Sequence, residues 1–145
     1  MRLCWDLCTT LCDQLNQASW SQPFEAVPGV RIRLNAASAD QRLRVELLPE
    51  QQIDTTTRFR DGSASATLVC SLLVVQQLPS PPEAVVIGLL ALVDELTGWL
   101  RRQPPLTVQG QAYSLMRVEA LYLRKHLEEH LFAGGAVLTW QGIHK

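Results

Sequence analysis

Hydrophobic positions recur at helical spacing most insistently across residues 80–102, SPPEAVVIGLLALVDELTGWLRR. On a helical wheel Val85, Val86, Leu89, Leu92, Val93, Leu96, Trp99 and Leu100 fill one wide arc. That is the width of a core-facing helix rather than of a coiled-coil seam. Ser80 with Glu83 reads as a capping box, and Pro81 falls at the first helical position, where a missing N–H costs nothing. Arg101 and Arg102 suit the negative end of the helix dipole, and Pro104-Pro105 stops the helix. The opposite face carries Glu83, Asp94 and Arg101, but also Ile87 and Leu90. A solvated helix seldom spends two large aliphatics on its outer face, so these ask for a second partner. Strands are expected beneath the inner arc.

The same period marks residues 2–17 as an amphipathic helix. Leu3, Leu7, Leu11 and Leu15 form a ridge flanked by Cys4, Cys8 and Cys12, with Asp6, Thr9, Thr10, Asp13 and Gln17 opposite. Residues 19–24, SWSQPF, then carry two aromatics into an extended connection, and Pro28-Gly29 marks a turn. From there the period drops to two. Val30, Ile32 and Leu34 alternate with Arg31 and Arg33, predicting a half-buried strand over 30–34. After a polar loop at 35–41, residues 42–48 repeat the alternation. Leu43, Val45 and Leu47 are expected inward, Arg42, Arg44 and Glu46 outward, and Pro49 ends the strand. Residues 52–60 are threonine-rich and β-prone, with Ile53 and Phe59 on one side and Arg58 and Arg60 on the other. Asp61-Gly62 is a hairpin signal leading into a strand over 64–78. Its centre, residues 68–75, is apolar on both faces, which predicts a central strand covered on both sides; a second copy of the chain is one way to cover the outer one.

Beyond Pro104-Pro105, residues 106–109 fit a short strand. Residues 113–119 fit either a strand or the start of a helix running through Met116, Ala120, Leu123 and Leu127, and periodicity does not separate the two. Residues 124–130 predict at least a short helical turn, Gly134-Gly135 a break, and residues 136–141 a final strand. The pattern predicts one α+β domain over residues 1–145. Its antiparallel or mixed β-sheet would carry the N-terminal helix and the long central helix on one face.

Composition changes this picture little. The chain has 145 residues, enough for a core without staples, with 47% hydrophobic and 19% charged residues. A net charge of −1 supplies no global field toward nucleic acid or acidic lipid. The longest apolar run, 84–93, is too short to span a bilayer, and Asp6 interrupts any signal-peptide core, so the chain reads as soluble and not secreted. The four cysteines read as free thiols of a reducing compartment. The basic residues are lopsided, eleven Arg against two Lys, which suits bidentate pairing at interfaces.

Candidate chemistry is sparse. Cys4, Cys8 and Cys12 lack a fourth ligand and a turn to bring pairs together, so core packing is the expected role. His126-Leu127-Glu128-Glu129-His130 fits the H-x-x-E-H pattern, in which two histidines one turn apart share zinc and Glu129 acts as base. Outside a large enzyme with a remote ligand, the same five residues read as a charged helical turn. Asp94-Glu95 point about 100° apart on a helix and do not make an acid/base pair; solvated charges are expected. No nucleophile elbow, P-loop or dinucleotide fingerprint is present. No catalytic, cofactor or metal site is expected. Arg31, Arg33, Arg42, Arg44, Arg58 and Arg60 occupy outward strand positions, and they can be read as a solvated face, a protein interface or a DNA contact.

Taken in order, several segments resemble a family of small tailed-bacteriophage neck and tail-completion proteins. They are the amphipathic N-terminal helix followed by Ser21-Gln22-Pro23-Phe24, then Leu43-Arg44-Val45-x-Leu47-Leu48-Pro49, Thr57-Arg58 and Val74-Val75-Gln76. Leu89-Leu90-Ala91-Leu92-Val93-Asp94-Glu95, Tyr122, His126-Leu127-Glu128-Glu129 and a final Val137-Leu138-Thr139 complete the order. Members often carry a hydrophobe at the place of His130. Here Leu123-Arg124-Lys125 stands where a proline usually precedes the His-Leu-Glu-Glu run. The resemblance favours a strand over residues 113–119. It implies a tail terminator-like α+β fold and a virion protein without enzymatic activity. Such a protein forms a ring, a hexamer by preference, that caps the tail tube and docks to the head connector. The same junction is also occupied by head-completion proteins and DNA-contacting adaptors. The implied partners are the chain itself, the tail tube protein and the connector proteins, with DNA passing through the lumen and no membrane. The implied location is the host cytoplasm during assembly, then the neck of the virion. On this reading the six strand arginines with Ile87 and Leu90 form the assembly interface.

Overall fold

A computed structural model describes residues 1–30, 43–54, 64–78, 83–123, 127 and 130–144. It is an α+β structure with two helices and a curled six-stranded mixed sheet. The elements run α1 (Arg2–Gln17), β1 (Glu25–Pro28), β2 (Arg44–Asp54), β3 (Ala64–Gln77), α2 (Glu83–Arg102), β4 (Leu106–Val108), β5 (Gln111–Tyr122) and β6 (Leu131–His144). The sheet order is β1-β2-β3-β6-β5-β4. All neighbouring pairs are antiparallel except β1 with β2, which is parallel.

The 3.6-residue pattern of α1 is realised to its last turn. Cys4, Leu7, Cys8, Leu11, Cys12 and Leu15 are all buried. The C-terminal turn is closed by a side chain, because the Trp20 indole Nε1 donates to the Leu15 carbonyl at 2.8 Å. In α2 the expected inner arc is likewise the buried one, with Leu89, Leu92, Val93, Leu96 and Leu100 in the core. Val85, Val86 and Trp99 are packed at its rim. The capping positions Ser80 and Pro81 lie outside the described residues.

One large core cluster joins these helix faces to Ala66, Leu68, Cys70, Leu72 and Val74 of β3 and to Ala136, Leu138 and Trp140 of β6. The alternate positions of the sheet form a second, smaller cluster of Leu48, Leu73, Val75 and Leu131, with Leu121 against it. The central strand is therefore buried on both faces within a single chain, and no second copy is needed to cover it. Leu73 and Val75 are each 1% exposed.

Several sequence expectations are corrected. Residues 42–48 and 52–60 were expected as two strands parted by Pro49; the described parts, 44–54, form one strand, β2. Proline is tolerated there because β1 pairs only with residues 44–47, and the register against β3 shifts between Pro49 and Gln51. Pro49 thus sits at a bulge on an edge stretch, where its missing N–H breaks no ladder. The expected strand over 30–34 and the Asp61-Gly62 turn lie outside the described residues, apart from Val30, which is in no strand.

A strand the pattern does not predict, β1 over residues 25–28, lies parallel to β2 and makes the sheet mixed. Asn16, in the last turn of α1, holds it: its amide Nδ2 donates to the Ala26 carbonyl at 2.9 Å, and its Oδ1 accepts from the Ala26 N–H at 2.8 Å. One side chain satisfies both backbone groups of the buried strand residue.

Gly134-Gly135 does not break the chain but lies inside β6. A Cβ on Gly135 would fall 1.8 Å from the Leu72 carbonyl oxygen, so the close approach of β6 to β3 admits only glycine there. Residues 113–119 are strand. β4 turns into β5 through Gln109 and Gly110, both at positive φ (51° and 77°), the geometry of a two-residue hairpin.

Candidate assembly surface

The outer face of α2 is apolar. Ile87 is 68% exposed and Leu90 39%, and Ala84 and Ala91 are exposed beside them at spacings of three and four residues. These positions lie on one helical stripe. Asp94 is exposed one turn further on, and Arg101 and Arg102 are exposed at the C-terminal end.

The connection from α1 to β1 straps the flank of this helix. Glu95, expected as a solvated charge, accepts hydrogen bonds from the Ser21 N–H at 3.0 Å and from the Ser21 hydroxyl. The Gln22 amide donates to the Gly88 carbonyl at 3.2 Å. Trp20 packs edge-on against Trp99, ring centroids 5.3 Å apart, and tilts against Phe24 at 5.6 Å. A helix fixed by its inner face and by this strap presents Ile87 and Leu90 as a rigid surface rather than a mobile one. Two shallow clefts of about 280 and 310 Å³ flank the strap, and neither has a charged side chain among its lining residues.

The expected basic surface is not assembled by the described residues. Arg31, Arg33, Arg42, Arg58 and Arg60 lie outside them. Arg44 is described, and it is not a free outward cation. Its side chain is 23% exposed, and its Nε lies 3.9 Å from Oε1 of Glu46, which is 1% exposed. Alternation placed both outward. The second face of β2 is instead covered, and a buried carboxylate is tolerable only with such compensation.

The cysteine stripe faces the core. Cys4, Cys8, Cys12 and Cys70 are free thiols, all buried. The Cys4 thiol donates to the Val69 carbonyl at 3.3 Å. A hydrogen bond to Cys8 and burial push the Cys4 thiol far up from its ordinary value. At Cys8 the bond with Cys4 works the other way, but Cys70 and burial outweigh it and the shift is also upward. Burial, with the charge of Asp13, pushes Cys12 up to about 12. Such groups stay protonated and inert. Of the His-Leu-Glu-Glu-His run, His126, Glu128 and Glu129 lie outside the described residues; Leu127 sits in a helical turn, and exposed His130 ends it at φ 57°.

Sequence reasoning located the outer apolar pair of α2 but missed the strap. Nothing in the pattern ties Ser21 to Glu95, 74 positions away. In comparison with known proteins, no family model and no curated protein matches this chain.

Proposed function

We propose that this chain is a structural, non-enzymatic subunit of a tailed-bacteriophage neck or tail end. It is tail terminator-like and acts by closing into a ring through the outer face of α2. The observation that carries the reading is Ile87 and Leu90, exposed together on a helix whose inner face and flank are already anchored. Burying the exposed parts of this pair stabilises an interface by roughly 1.5–3 kcal/mol for the two together. Ring subunits meet through unlike faces whose rotation closes, which calls for a rigid apolar patch that the single chain leaves uncovered.

The setting comes from the ordered segments that resemble the phage family. The two-helix, six-stranded α+β layout is of the kind that resemblance implies. On this reading the tail tube protein and head connector are the neighbours, and the virion neck is the final location. No helix of the described residues is long and apolar enough to cross a membrane. Of the strand arginines on which the DNA-adaptor alternative would draw, Arg44, the described member, is engaged with Glu46.

The test is solution mass across a concentration range, by light scattering or native mass spectrometry, with and without tail tube protein. A hexamer, alone or on addition of that protein, is the expected result. A strict monomer that ignores tail tube protein would overturn the reading.

A further inference from the structure

The two edges of the sheet are built differently. On one side β1 pairs with residues 44–47 of β2, and the rest of β2 carries Pro49, a bulge before Gln51, and the acidic Glu50 and Asp54. A missing N–H, a bulge and charge are the ordinary devices that blunt an edge. On the other side β4 pairs only with residues 111–113 of β5. The nine remaining residues of β5, 114–122, have no outer neighbour among the described strands. None of the nine is buried, whereas β6 beside them is buried at most described positions. Met116 is 62% exposed and Tyr122 41%. The one irregularity is a bulge between Leu115 and Arg117.

The charges along this edge say what fits it. Arg117 and Glu119 flank Val118 and are paired with each other at 2.9 Å, both well exposed. A cation and an anion placed symmetrically about one residue are self-complementary when the strand meets its own copy antiparallel. Arg117 then faces Glu119 of the second copy, Glu119 faces its Arg117, and Val118 faces Val118. Beyond this triplet the bulge between Leu115 and Arg117 shifts the faces, so the matched pairs are those of residues 117–119. Cross-strand pairs of opposite charge and of apolar side chains are what stabilise an antiparallel ladder. A foreign strand has no reason to carry that order.

We propose that the β5 edge pairs with the β5 edge of a second copy, antiparallel and two-fold about Val118, joining two six-stranded sheets into one. The surface is separate from the outer face of α2, so this contact stands or falls independently of the ring. It is isologous, each copy offering the same patch, and closes as a dimer.

The experiment is sedimentation equilibrium of the full chain and of two exposed-site variants, with hydrogen exchange on the unaltered protein. Arg117→Glu sets two like-charge pairs across the two-fold, and dimer affinity falls roughly tenfold or more. The double variant Arg117→Glu/Glu119→Arg restores the opposite order and returns affinity to within about threefold of the parent. Amides of residues 114–122 gain protection as concentration rises. A chain whose β5 amides exchange freely at every concentration overturns the proposal. So does an assembly whose mass and affinity ignore Arg117→Glu, or a double variant no better than the single. A hexamer with unprotected β5 amides would leave the ring standing and remove this contact.

Discussion

The two helices share a core but differ on the faces they turn outward. On α1 the outer groups are answered within the chain. Arg2 pairs with Asp6 at 3.1 Å, Gln109 donates to the same carboxylate at 2.7 Å, and Thr9 and Thr10 bond back to the carbonyls of Trp5 and Asp6. The Gln109 hydrogen bond, then Arg2, hold the Asp6 carboxyl below its ordinary value despite some desolvation. On α2 the outer face offers Ile87 and Leu90, which no polar contact answers and no core covers. The inner faces specify the fold, and both were demanded by it. Of the two helices, α2 is the one whose outer face holds something the fold does not use, so function is sought there.

The largest effects come from the inner faces, where the two helices are expected to behave alike. Leu11 and Leu92 are 1% and 0% exposed in the same cluster. Leu11→Ala and Leu92→Ala should each cost about 2–5 kcal/mol, the range for deleting a buried leucine side chain. Urea unfolding at unchanged slope measures it. A cost below about 1 kcal/mol for one of them would break the equivalence and show that helix to be loosely seated.

Next in size is an alkaline effect belonging to α1 alone, since α2 carries no thiol. Burial pushes the Cys12 thiol up to about 12 in the folded chain, from 9.0 for an ordinary thiol. Its folded value is raised, so the unfolded chain loses the proton first. Stability is fully present below pH 9 and falls as pH rises from 9 toward 12. At pH 10 the loss from this group is on the order of 1 kcal/mol. Cys12→Ala should remove that share of the slope, measured as urea midpoints at pH 8 and pH 10. A parent chain with no alkaline loss would contradict the burial of the stripe.

Much of this contrast is legible in the sequence. Burial at i, i+3, i+4 and i+7 defines both inner faces, and the same wheel exposes Ile87 and Leu90, because a helix face needs no tertiary knowledge to be drawn. Strands are harder. The bulge between Leu115 and Arg117 breaks alternation, so core-facing positions run Tyr113, Leu115, Val118, a spacing that mixes periods two and three and imitates a helix. β1 is four residues long with only Ala26 buried, and its bonds come from an asparagine ten positions away. Arg44 and Glu46 obey alternation but misstate exposure, since a period-two pattern says which residues share a face and not whether that face is covered. Pro49 and Gly134-Gly135 were read as terminators by local rules that an edge bulge and a close strand approach override.

A smaller effect sharpens what holds the outer face of α2 in place. Glu95→Gln keeps the shape but removes the charge that receives the two Ser21 bonds. A loss of about 1 kcal/mol is expected, the usual worth of such a contact at a solvent-accessible site. Trp20 and Trp99 should report it as a change in tryptophan fluorescence, because the strap carries Trp20 against Trp99. No change in stability or emission would mean the strap is held by its aromatics alone.

The smallest effect on stability belongs to the pair on which the proposed assembly rests. Ile87→Gln with Leu90→Gln replaces two exposed aliphatics on a helix by residues of good helix propensity. Surface changes away from packing and caps stay within about ±0.5 kcal/mol, so the unfolding midpoint of the monomer should hardly move. Solubility should rise as the apolar patch shrinks. Assembly should respond oppositely, since each interface of a ring would lose roughly 1.5–3 kcal/mol of apolar burial for the pair. The double variant should therefore remain a folded monomer under conditions where the parent chain forms rings. Should it unfold instead, Ile87 and Leu90 belong to the core and the contrast between the helices disappears. Should it fold and still form rings, the outer face of α2 is not what the subunits share.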